Sequence, residues 1–156
     1  MSAKARFLKK LQENQPRSGA FRSRYEADIA EFCERMEQLR GQMAEWLTDT
    51  GIQIENSVVP VVELLVGGTP FNVPGVVLVW ESRKIKFTPL FLYGQGVTGC
   101  VEASLFAEGD TWAQCRLFMR STENSGWTWQ KMGPVQGQRR VFSEDAFFDM
   151  IDGLLA

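Results

Sequence analysis

Seven large side chains, Tyr25, Ile29, Phe32, Met36, Leu39, Met43 and Trp46, follow one another at intervals of 4, 3, 4, 3, 4 and 3 residues. That spacing sets them along one seam of an α-helix, because residues three and four apart share a helix face. A chain with such a row must hide it from water, against either a second helix or a sheet. Gly41 inside the helix and the bulk of Tyr, Phe and Trp on the seam disfavour a tight two-stranded coil. Cys33 and Leu47 widen the stripe, which suits a helix lying on a sheet. Packing within the chain is the expectation, and a homodimer seam is the alternative.

The spacing predicts a helix over about 21–48, stopped by Thr50 and Gly51, where glycine takes a positive φ at little cost. From Ile52 the period changes from 3.5 to 2. Ile52 and Ile54 alternate with Gln53 and Glu55, and 58–66 is rich in β-branched residues. Val76 to Trp80 is wholly apolar, and Lys84 to Phe87 alternates again after a turn at 81–83, as in a hairpin. Pro89 marks an edge position or the end of its strand. Further strands are expected at 100–106, 112–120, 127–132 and 139–142. A last helix starts after Ser143, which can cap a free amide, with Glu144 and Asp145 in the turn that favours negative charge. Short connections make the sheet largely antiparallel. The fold class is therefore α+β, with six or seven strands packed against a long N-terminal helix and a C-terminal helix.

Charge divides the chain unevenly. Residues 1–24 carry seven Lys or Arg and one Glu, a net of +6, whereas residues 25–156 carry a net of −8. Residues 3–12 read as a short amphipathic helix, and 14–19, with Pro16 and Gly19, as a breaker. The expected organisation is a basic N-terminal arm, 1–19, ahead of a single domain, 20–156. Within the arm Arg6, Lys9 and Lys10 are candidates for contact with a phosphate, an anionic lipid or an acidic protein surface. The bland alternative is a solvated arm lying over the acidic face of the helix at Glu26–Glu37.

Several chemistries drop out on composition. Histidine is absent, which removes Ser-His and Cys-His nucleophiles and imidazole-bound zinc. Cys33, Cys100 and Cys115 match no metal knuckle or redox pair and read as buried thiols in a reducing, cytoplasmic setting. No apolar run is long enough to span a membrane, and no secretory signal precedes the arm. No carboxylate pair has a distinctive spacing, so no catalytic, cofactor-binding or metal residue is assigned.

Residues 94–99, Gly-Gln-Gly-Val-Thr-Gly, match G-x-G-x-x-G after a strand-like run. A dinucleotide site also needs a helix to follow, and 100–106 alternates like a strand. A hairpin loop is the simpler reading, with small-ligand binding as an alternative. Trp112, Arg116, Phe118 and Arg120 occupy even positions of one strand and could form an aromatic-basic face for a partner. Trp127 and Trp129 join that face or the opposite one according to the parity of the turn at 123–126. A three-residue loop opposes Ser121 with Trp129 and puts both tryptophans on the core side with Cys115, Leu117 and Met119, leaving Thr128 and Gln130 outside with Arg116 and Arg120.

The sequence therefore points to a non-catalytic protein-binding module, with another protein as partner. Candidate contacts are Arg6, Lys9, Lys10, Trp112, Arg116, Phe118 and Arg120. Nucleic acid, through the arm, is the disfavoured alternative. Bacterial secretion chaperones and toxin-immunity proteins are similar in size, charge and class, a likeness that no motif carries.

Overall fold

Ser2 opens the first helix, its hydroxyl accepting from the backbone N–H of Ala5 at 3.2 Å. In this computed structural model, which describes residues 2–63, 68–133 and 137–155 and, for 9–23, the backbone alone, helix α1 spans Ala3–Trp46. The break expected at 14–19 does not occur. Pro16 withholds one backbone donor and Gly19 adds backbone entropy, penalties of roughly 3 and 1 kcal/mol. Helix continues on both sides of them, so propagation carries the chain through. Arm and body therefore share one 44-residue helix. At the other end Asp49 and Gly51 take positive φ, and the Thr50 hydroxyl donates to the carbonyl of Leu47 at 2.6 Å.

Strands β1 (Gln53–Val61), β2 (Phe71–Trp80), β3 (Arg83–Gly94), β4 (Val97–Ala107), β5 (Asp110–Ser121), β6 (Thr128–Lys131) and β7 (Arg140–Val141) form one antiparallel sheet in sequence order among the described residues. Two-residue turns close three of the hairpins, at 81–82, 95–96 and 108–109. Glu108 and Gly109 both take positive φ, as a type I′ turn requires. The mixed α+β class with a long helix, an antiparallel sheet and a C-terminal helix is thus the observed one.

Pro89 lies inside β3 rather than at an edge or a strand end. The pairing of β2 with β3 stops at Val76↔Phe87, and the β3–β4 register shifts between Pro89 and Phe91. A missing N–H is tolerated where one neighbour has left and a bulge begins.

The heptad stripe lies on the sheet. Phe32, Met36, Leu39, Met43 and Leu47 are buried against Leu78, Ile85, Phe87, Leu117 and Met119, and Tyr25, Ile29 and Trp46 are half-buried against the same core. Each such side chain contributes about 1.5–3 kcal/mol by leaving water. The seam is consequently used within the chain. Helix α2 (Glu144–Ile151), capped by the Ser143 hydroxyl on Ala146, packs Phe147 and Ile151 into the same core. The Trp46 ring lies 5.2 Å from that of Phe147 and 5.9 Å from that of Phe142.

Gly99 permits this packing. It adopts φ +74°, and a Cβ there would lie 2.8 Å from Cβ of Met119 and 3.2 Å from the Phe32 ring. No residue with a side chain fits between α1 and β5 at that point.

The tryptophans of β6 face the core, though by a different register from the expected one. Trp129 pairs with Leu117 rather than Ser121. The two registers differ by four residues, an even number, so the face is preserved while the loop grows to 122–127. Trp127 and Trp129 are half-buried against the core, and Gln130 pairs with Arg116.

Candidate interaction surface

The candidate residues of β5 do not act as one face. The β4–β5 register shifts between Ala103 and Ser104, which pair with Cys115 and Ala113 and leave Gln114 as the extra residue. This bulge separates Trp112, 48% exposed, from the arginines beyond it. Arg116 sits opposite Glu102, its Nε 3.5 Å from a carboxylate oxygen. Phe118 is buried in a small second cluster with Val97 and Cys100, on the face opposite the neighbouring Leu117 and Met119, and the Arg139 guanidinium lies 5.5 Å from its ring centroid. Arg120 reaches α1, pairing with Asp28 Oδ1 at 2.6 Å and with Glu31. Its guanidinium is thereby held in its charged form, first by the hydrogen bond to Asp28.

Arg120 belongs to a polar junction that the strand pattern did not reveal. The Tyr93 phenol donates to Asp28 Oδ2 at 2.5 Å, and the Tyr93 backbone N–H donates to Glu63 Oε2 at 3.3 Å. Both Asp28 oxygens are thus occupied. Burial, then the hydrogen bond to Asp28, pushes the phenol pKa up. The Tyr25 ring packs 6.1 Å from Phe71 and 6.4 Å from Tyr93. Arg35 adds a further tie, donating to the carbonyl of Ser125 at 3.0 Å and lying 5.7 Å from the Trp127 ring. Two signals pointed here: Asp28 stands three residues after Tyr25 and four before Phe32, on the sheet-facing side, and Glu63 interrupts an apolar run. Both carboxylates are buried. The junction fastens α1 to β3 and β5.

Residues 94–99 make a hairpin. Gln95 and Gly96 form the turn, and β4 follows where a phosphate site needs a helix. The cleft beside it, about 360 Å³, is lined by Tyr93, Thr98, Arg120 and Thr122, but its guanidinium is already committed to two carboxylates.

The three thiols are reduced. Burial pushes Cys100 and Cys115 up to about 12, and Cys33 also rises above its ordinary value, through burial and then Glu37. Among the described residues no group of three or more His, Cys, Asp or Glu could hold a metal ion, and no helix is long and apolar enough to cross a membrane.

Exposed large apolar side chains include Val58, Val62, Trp112, Val141 and Leu155 and, at the start of the first helix, Phe7 and Leu8. Residues 2–8 of that helix are all exposed, Phe7 by 64% and Leu8 by 50%, beside Lys4 and Arg6. The side chains of Lys9 and Lys10, also candidates, lie outside the described residues. A second feature is a groove of about 360 Å³ between β5, β6 and α2, floored by Cys115, Trp129, Ala146 and Met150 and edged by Asp149 and Lys131. No family model matches the chain, and no curated protein or solved structure matches it.

Proposed function

We propose that the protein is a non-catalytic protein-binding module that presents the first turns of α1 to a partner. The exposure of Phe7 and Leu8 between basic side chains carries this reading. Two adjacent large apolar residues in water, on a helix anchored at its other end in the core, form a contact element of the helix-in-groove type. The inward-facing charged groups bear on the same reading. Asp28 and Arg120 are engaged in holding α1 to the sheet, and Glu63 accepts from the backbone N–H of Tyr93. Three unpaired thiols favour a reducing, cytoplasmic setting.

The test immobilises the full chain and a Phe7→Glu/Leu8→Glu variant and exposes both to host lysate at about 150 mM salt, near physiological ionic strength. A polypeptide retained by the parent and lost by the variant supports the proposal. Retention of nucleic acid instead, falling steeply as salt rises, transfers the arm to phosphate binding.

A further inference from the structure

We infer that the partner met by the start of α1 is a second copy of this chain, received in the groove between β5, β6 and α2. The inference rests on the reading of α1 as a contact element and names its partner.

Chemistry matches the two surfaces. The incoming element offers Phe7 and Leu8 flanked by Lys4 and Arg6, all exposed. The groove offers an apolar floor of Cys115, Trp129, Ala146 and Met150, within the roughly 300–1,000 Å³ range of cavities that accept a ligand. Its α2 wall is acidic. Asp149 lines the groove, Glu144, Asp145 and Asp152 are exposed nearby in sequence, and α2 with the turn after it carries no Lys or Arg. Lys131 is the one cation among the residues lining the groove.

Geometry selects a second copy over the chain's own arm. Trp46 stacks on Phe147, so α2 lies at the C-terminal end of α1. Phe7 stands 39 residues earlier in the same helix. At about 1.5 Å per residue that is about 60 Å away. An arm continuous with α1 cannot fold back onto α2, nor onto the acidic face of its own helix. Two copies with antiparallel α1 helices bring each start to the other's α2, an isologous arrangement that closes on itself. The exposed Glu45 of each α1 then lies beside the Lys4 and Arg6 end of the other.

Sedimentation equilibrium of the full chain at high micromolar concentration tests this. The expected mass is twice 17.7 kDa. Two variants reverse one side each, Lys4→Glu/Arg6→Glu on the arm and Asp145→Lys/Asp149→Lys on α2. Each alone should sediment as a monomer that still melts cooperatively, since all four positions are exposed. Mixed in equal amounts they should regain the doubled mass, because each arm then meets a wall of opposite sign. A doubled mass that survives both reversals, or a mixture that stays monomeric, overturns the inference. A monomeric parent that still retains a different polypeptide through Phe7 and Leu8 overturns the self-association alone and leaves the binding-module reading standing. A monomeric parent that retains nothing removes both.

Discussion

Tyr93 on β3 and Asp28 on α1, 65 residues apart in sequence, meet through a hydrogen bond of 2.5 Å from phenol to carboxylate. Asp28 also faces Arg120 on β5, so one helical side chain gathers two strands. The arrangement fixes the sliding position of α1 along the sheet, which an apolar seam repeating every three or four residues would leave free to shift by a turn.

Loss of Asp28 therefore leaves the Tyr93 phenol without its acceptor and Arg120 with Glu31 alone. Asp28→Ala is expected to cost on the order of 2–3 kcal/mol, below the 3–5 kcal/mol typical of breaking a fully buried pair because Arg120 is partly exposed. Tyr93→Phe should cost about 1–2 kcal/mol. Urea unfolding with a double-mutant cycle checks both. Strictly additive losses would separate the two residues energetically and contradict the shared junction.

Gly99→Ala should cost about 2–4 kcal/mol. The new Cβ meets Met119 at 2.8 Å and the backbone has a positive φ, so steric and conformational penalties add. Thermal unfolding measures it. Gly41→Ala, at a helix position where a Cβ meets nothing within 4 Å, is the control and should stabilise slightly.

Phe32→Asp should yield insoluble protein or no cooperative melt, because it buries a charge at the centre of the core. Phe32→Ala, losing about 3–5 kcal/mol, keeps the experiment readable. A folded, soluble Phe32→Asp protein would remove this residue from the core.

Alkaline pH should unfold the protein. The folded thiols of Cys100 and Cys115 titrate near 12 against an ordinary value of 9.0. Between those values the unfolded chain has released these protons while the folded one holds them, so stability falls as pH rises. The contribution is fully present below pH 9, and the raised Tyr93 phenol acts in the same direction. Far-ultraviolet circular dichroism from pH 8 to 12 should show the melting temperature declining, and replacing both cysteines with alanine should flatten that decline. Iodoacetamide at pH 8 should leave Cys100 and Cys115 unmodified until denaturant is added.

At a protein concentration low enough to keep the parent monomeric, deleting residues 1–8 should leave the melting temperature within a few degrees of the parent, since 2–8 are exposed throughout. A large loss would place Phe7 and Leu8 in the core.

The helix seam and the alternating strands were readable because each follows from a period that burial enforces. The faces of Trp127 and Trp129 were readable because parity survives an even register error. Pro89 misled because a strand can lose one neighbour midway, a property of the sheet rather than of the residues around the proline. Pro16 misled because local penalties do not outweigh helix on both sides. The Asp28–Tyr93–Arg120 junction, drawn from α1, β3 and β5, has no local pattern. Its trace was a carboxylate on the wrong face of a helix. The α2 groove was hidden for a like reason, since the Gln114 bulge that shapes its β5 wall depends on pairing with β4.

The meander sets an order of events during synthesis. Each hairpin can close as soon as its second strand leaves the ribosome. The apolar row of α1 emerges before all of its cover, which includes Leu78 of β2 and is completed only by α2, with Phe147 trailing Phe32 by 115 residues. At roughly 5–20 residues per second that row waits on the order of ten seconds. The nascent chain, rather than the finished protein, is therefore the form most open to aggregation and to capture by a general chaperone.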